Sequence, residues 1–202
     1  MFFKMSVFKK LIKSAYKRTG FYIGLNAEGT TYYIRTPRFT MWMDVDNISN
    51  QAKAAVIEFT GELPQPGFEF LCSEAQECNQ YSFLGAEHDI RLLENNAKAG
   101  FCVTKLCDVR AGARYLYSKF DDVVVNSILI PESLLALIDP GAIDTDNREK
   151  PPIGPVAIKE TDDEVFWYND TSALMVKDVL AGCCDEAKAY ALELAKLEAE
   201  CD

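Results

Sequence analysis

The feature that most constrains this chain is how its apolar residues arrive: in short runs closed off by Gly, Pro, Asn or Asp, several in succession before a helical pattern intervenes. "FYIGL" (21–25), the turn "NAEG" (26–29) and "TTYYIRT" (30–36) spell a β-hairpin. Pro37 punctuates, and "RFTMWMDV" (38–45) then alternates. Phe39, Met41, Met43 and Val45 fall on one face and Thr40, Trp42 and Asp44 on the other, the pattern of a half-buried strand. "GFEFLC" (67–72), "FCVTKLC" (101–107), "ARYLYS" (113–118), "VVVNSILI" (123–130), "VAIK" (156–159) and "VFWYN" (165–169) add further strands.

Helical spacing appears in fewer places. Val7, Phe8, Leu11, Ile12 and Ala15 share one face of a helix over 6–18, with Ser6 as its N-cap. Ile48, Ala52, Ala55, Val56 and Phe59 predict a helix over 49–61, ended by Gly61 and Pro64. A short helix is expected after Pro131, another over 171–181 closed by Gly182, and a last one over 184–200. On that final helix Ala187, Ala191, Leu194 and Leu197 make the apolar face. Strands in runs, rather than strict alternation with helices, predict an α+β fold with a mixed or mainly antiparallel sheet.

At 202 residues one domain is expected. The stretch 139–155, "DPGAIDTDNREKPPIGP", is the natural place for a sub-boundary, because four prolines and two glycines interrupt any regular element there. Apolar runs fall short of the roughly 20 residues needed to cross a bilayer. Lysines break the apolar start, and no small-residue cleavage site follows it. A cytoplasmic location is the expectation. Seven cysteines, an odd number, then read as reduced thiols.

Charge is unevenly placed. The net charge is −10, yet residues 1–40 hold eight Lys or Arg against Glu28 alone, which is +7 and leaves −17 for the remainder. Lys9, Lys10, Lys13 and Lys17 decorate the first helix, whose most economical role is to pack on the chain's own acidic body. That body opposes nucleic acid and favours basic protein surfaces.

Three chemistries are worth weighing. Asp44, Asp46 and Asn47 end the strand before the helix at 49–61. Over four residues they resemble the metal-binding acids of nucleases and phosphohydrolases, which hold Mg²⁺ through oxygen ligands. The competing reading is a strand end followed by a helix cap, since Asp, Asn and Ser are the capping residue types. "DTDN" at 144–147 repeats the same letters but lacks the glycine and glutamate of a calcium loop. Tyr32, Tyr33, Arg35, Arg38, Phe39 and Trp42 combine rings and cations, as single-stranded nucleic acid requires.

His88 is the lone histidine, which excludes His-rich zinc sites and two-histidine triads. A zinc site from Cys72, Cys78, Cys102, Cys107 and His88 has looser spacing than common structural sites. No Walker loop, GxGxxG or GxSxG occurs, so no cofactor is expected.

The reading these observations favour is a non-enzymatic, acidic binding or regulatory protein, inhibitor-like or immunity-like, that occupies a basic surface on a partner protein. Its contacts are expected at Asp121, Asp122, Asp162, Asp163, Glu164, Asp185 and Glu186, with Trp167 and Tyr168 as aromatic anchors. The alternatives are a metal-dependent phosphoesterase or nuclease at 44–47, and single-stranded nucleic-acid binding through 32–42.

Overall fold

A computed structural model describes residues 2–82, 97–121, 123–139, 151–158 and 163–200. Eleven strands join in one sheet: β1 (Phe21–Leu25), β2 (Thr31–Arg35), β3 (Phe39–Asp44), β4 (Phe68–Ser73), β5 (Gln76–Ser82), β6 (Ala97–Asp108), β7 (Ala113–Phe120), β8 (Val123–Pro131), β9 (Ile153–Ile158), β10 (Glu164–Tyr168) and β11 (Ser172–Lys177). Their spatial order is β5-β4-β1-β2-β3-β11-β10-β9-β6-β7-β8, and each described pairing between two of these strands is antiparallel. Four helices are described: α1 (Met5–Arg18), α2 (Asn50–Thr60), α3 (Glu132–Leu135) and α4 (Asp185–Ala199). The α+β class expected from the strand runs is the one found.

Local chemistry explains most boundaries. Asn26 Oδ1 accepts from the N–H groups of Thr30 and Thr31 at 2.7 and 3.0 Å, which closes the β1–β2 turn. Thr36 Oγ1 does the same for Arg38 and Phe39 before β3. Ser49 caps α2, accepting from Ala52 N–H at 3.2 Å, and Gly61, at φ +78°, ends it.

Helix α1 starts one residue before the expected Ser6 cap, with Lys4 at the cap position and no side-chain capping bond. A tertiary tether sets its entry instead: Lys4 N–H donates to Leu137 O at 2.8 Å and Phe3 bridges Ile138. Lys17 and Arg18 sit in its last turn, where cations complement the helix dipole.

The expected helix over 171–181 is wrong. Its core, "SALMVK", is β11, which pairs with both β3 and β10. The error has a physical cause: Ser172 to Val176 are all buried, so both faces of the strand are covered. A short apolar run of that kind carries no period to read. Asn169 Oδ1 then ties the β10–β11 turn, accepting from Thr171 and Ser172 N–H. The half-buried reading of β3 also fails, because Phe39 to Met43 are buried on both faces. Strand β5 went unpredicted: "QECNQYS" is polar and largely exposed, at the edge of the sheet.

The sheet has two packed faces. One carries the main core, where Phe8 and Ile12 of α1 and Ala52 and Val56 of α2 meet Ile23, Ile34, Met41, Leu174, Leu116 and Ile128. On the other, Tyr33, Trp42, Phe166, Tyr168, Ala173 and Met175 form a second cluster, and Tyr115 and Leu129 meet Ala191 of α4. Successive strand residues point to opposite faces, so Tyr115 and Leu116 assign α4 and α1 to opposite sides of the sheet. Gly24 lies directly opposite Tyr33, whose ring crosses over it; a Cβ there would collide with the Tyr33 ring and Oη. Tyr33 Oη in turn donates to the buried Glu69 carboxylate at 2.9 Å.

Residues 83–96, with His88, lie outside the described residues, as do 140–150, with "DTDN". No described helix is long and apolar enough to cross a membrane.

Candidate functional site

Asp44, Asp46 and Asn47 form a strand end and a turn. Asp44 O accepts from the N–H groups of Asn47 and Ile48, both at 3.0 Å, which swings the chain from β3 toward the Ser49 cap. Asp44 is half-buried and Asp46 exposed. Among the described residues no group of three or more His, Cys, Asp or Glu is arranged to hold a metal ion. The cap reading therefore carries a prediction. Ser49→Ala should cost about 1 kcal/mol and lower the melting temperature by a few degrees. Asp46→Asn should change stability by less than about 0.5 kcal/mol. Thermal melts with and without Mg²⁺ check both, and an Mg²⁺-dependent rise abolished by Asp46→Asn would reinstate the metal site.

The aromatic-basic segment offers no stacking platform. Tyr32, Tyr33, Phe39 and Trp42 are all buried in the sheet, and Arg35 is engaged with Glu69 at 3.4 Å and over the Tyr22 ring. Cys102 and Cys107 are exposed on β6, whereas Cys72 is buried. Cys107 Sγ lies 2.9 Å from Glu132 Oε1, and that contact holds its thiol in the protonated form, above the ordinary cysteine range. The same carboxylate accepts from Arg114 Nε at 2.8 Å.

The nominated acids separate into three groups. Asp163 and Glu164 are structural: Asp163 pairs with Lys188 at 3.0 Å and Glu164 with its cross-strand neighbour Lys177 at 3.6 Å. Asp121 is exposed at φ +48°, a left-handed turn position that Asp tolerates. Asp185 and Glu186 open α4, exposed and in no ion pair with a described residue. Asp122 and Asp162 lie outside the described residues. The expected anchors Trp167 and Tyr168 are core residues, because β10 is an interior strand with both faces covered. They present nothing to a partner.

A different surface takes their place. Helix α4 packs through a stripe of small residues, with Ala191 and Ala195 buried, and brings its backbone close to β7 and β8. Its outward stripe holds Glu186, Tyr190, Glu193 and Leu197, spaced as one helical face. Tyr190 is 65% exposed and Leu197 61% exposed. Leu197 was expected in the apolar face; it points outward instead. Its exposure was not readable from sequence, since Leu194 and Leu197 are equivalent there until Ala195 is known to face the sheet.

The helix is held rigidly at both ends. Glu198 accepts from Lys105 and Leu106 N–H at 2.6 and 3.2 Å, filling the irregular stretch of β6. At the other end Asp178, 2% exposed, accepts from Leu129 and Leu180 N–H, both at 2.9 Å. Burial pushes its carboxyl above the ordinary range, partly offset by those two bonds. Asp163 O accepts from Asp178 N–H, and the Asp163 carboxylate, bonded to Lys188, holds that ammonium charged above its ordinary range.

Electrostatically the two sides of the sheet differ. Lys4, Lys9, Lys10, Lys13, Lys17 and Arg18 on and around α1 are exposed, with no ion pair to a described acid. The acids of α4 lie on the opposite side.

These features define an antiparallel α+β domain with an acidic, partly apolar helix displayed on one side. Compared with known proteins, the chain matches no family model, no curated protein and no solved structure.

Proposed function

We propose that this chain is a non-enzymatic binding protein of the cytoplasm that docks the outer face of α4 against a basic surface on a protein partner. The observation that carries the reading is the exposure of Tyr190 and Leu197 on the one stripe that also holds Glu186 and Glu193. Large apolar side chains supply desolvation energy at the centre of an interface, and surrounding acids steer a cationic partner onto it. The helix is anchored by Glu198 and by the Asp163–Lys188 pair, so little ordering cost falls on binding. The net charge of −10 supports the sign of the partner surface.

The test is capture from native lysate with a tag that leaves α4 free, followed by elution with increasing salt. A stoichiometric protein partner released by moderate salt is expected. Asp185→Lys combined with Glu186→Lys should weaken capture about tenfold or more and flatten its salt dependence. Capture unchanged by the two reversals would remove α4 from the interface.

A further inference from the structure

Cys72 sits on β4 and Cys78 on β5. The ladder pairs Phe70 with Gln80 and Leu71 with Asn79, then shifts register before Ser73 pairs with Gln76, so Cys72 sits at the irregularity beside Cys78. The sulfurs have already found one another: Cys72 Sγ lies 3.0 Å from Cys78 Sγ, so about 1 Å of approach brings them to bonding distance. Cys72 is fully buried against Phe21 and Phe70, whereas Cys78 is half-buried and packs on the rim of the same core.

We propose that Cys72 and Cys78 are a modification site, a dithiol converted reversibly to an intramolecular disulfide by a low-molecular-weight disulfide such as oxidised glutathione. The accessible sulfur reacts first. Cys78 thiolate attacks one sulfur of the small disulfide, forming a mixed disulfide and expelling one small thiolate. Cys72 then loses its proton to solvent and attacks Cys78 Sγ, and the second small thiolate leaves. Two protein thiols are oxidised by two electrons, and one small disulfide is reduced to two thiols.

Burial and the neighbouring sulfur hold the Cys72 thiol well above the ordinary cysteine range. Cys72 is therefore inert toward a bulky reagent and reacts only with the sulfur beside it. The consequence falls on β5, which among the described residues pairs with β4 alone and is almost wholly exposed. A bond between Cys78 and Cys72 fastens that edge to the core, and its reduction releases it.

The experiment exposes the full chain to oxidised glutathione, then maps its peptides by mass spectrometry without reduction. A Cys72–Cys78 link is expected, with glutathione on neither residue and both thiols restored by dithiothreitol. Cys102, Cys183 and Cys184 are exposed and serve as internal references, carrying glutathione as mixed disulfides. The melting temperature of the native chain should rise on oxidation, and in Cys78→Ser that rise should vanish. Cys78→Ser changes the partner on the exposed strand and leaves the buried one in place, so the variant keeps its fold. Glutathione retained on Cys78 beside a free Cys72 would overturn the proposal. So would two free thiols after the three reference cysteines have reacted.

Discussion

Asp178→Ala is expected to destabilise the fold by about 3 kcal/mol, and Asp178→Asn by less than about 1. The carboxylate oxygen that accepts from Leu129 and Leu180 joins edge strand β8 to the turn leading into α4. Alanine leaves both N–H groups without an acceptor, and Leu129 is buried. Asparagine keeps an oxygen there and removes the buried charge. The pH dependence follows from the raised carboxyl pKa. A folded-state pKa above the unfolded one means the native protein holds the proton more tightly. Stability is then greatest below the ordinary Asp value and falls as pH rises through the raised one. The Asn variant lacks that fall, so its stability relative to wild type should be best at neutral pH and decline in acid. Denaturant unfolding across pH 4 to 8 reads both effects, and equal losses in the two variants would show that the N–H groups find other acceptors.

Trp42→Ala should cost about 3–5 kcal/mol. Trp42 is 6% exposed within the cluster of Tyr33, Phe166, Tyr168, Ala173 and Met175, between β2 and β11. The ring fills space that five neighbours cannot collapse into. This substitution also separates the fold from the nucleic-acid reading of residues 32–42, which assigns Trp42 a stacking role. Loss of stability, measured by chemical unfolding, is the expected outcome. A variant as stable as wild type that had lost affinity for single-stranded nucleic acid would favour stacking.

The sequence was most legible where local side-chain chemistry marks the ends of an element. Strand β1 and helix α2 were found nearly to the residue, because the turn at Asn26 and the Ser49 cap are written in local side-chain chemistry. Legibility failed where both faces are covered. β11 carries apolar residues at consecutive positions, where periodicity has nothing to report, and the alternation of β3 located the strand but not the burial of its second face. β5 failed for the opposite reason, since an exposed edge strand held by backbone pairing needs no apolar pattern.

The same divide governs the candidate site. Acidity at Asp185 and Glu186 was plain, but Trp167 and Tyr168 looked like anchors only while β10 was imagined near a surface. Tyr190 and Leu197 became visible once Ala191 and Ala195 were seen to face the sheet.

The most direct test of the α4 surface is the affinity of the captured partner for wild type and for the double variant Tyr190→Ala, Leu197→Ala. Both side chains are mostly exposed, so the variant should melt within a few degrees of wild type. A loss of about tenfold or more in Kd, with the fold intact, is the result this account predicts. An unchanged Kd would contradict it and move the interface away from α4.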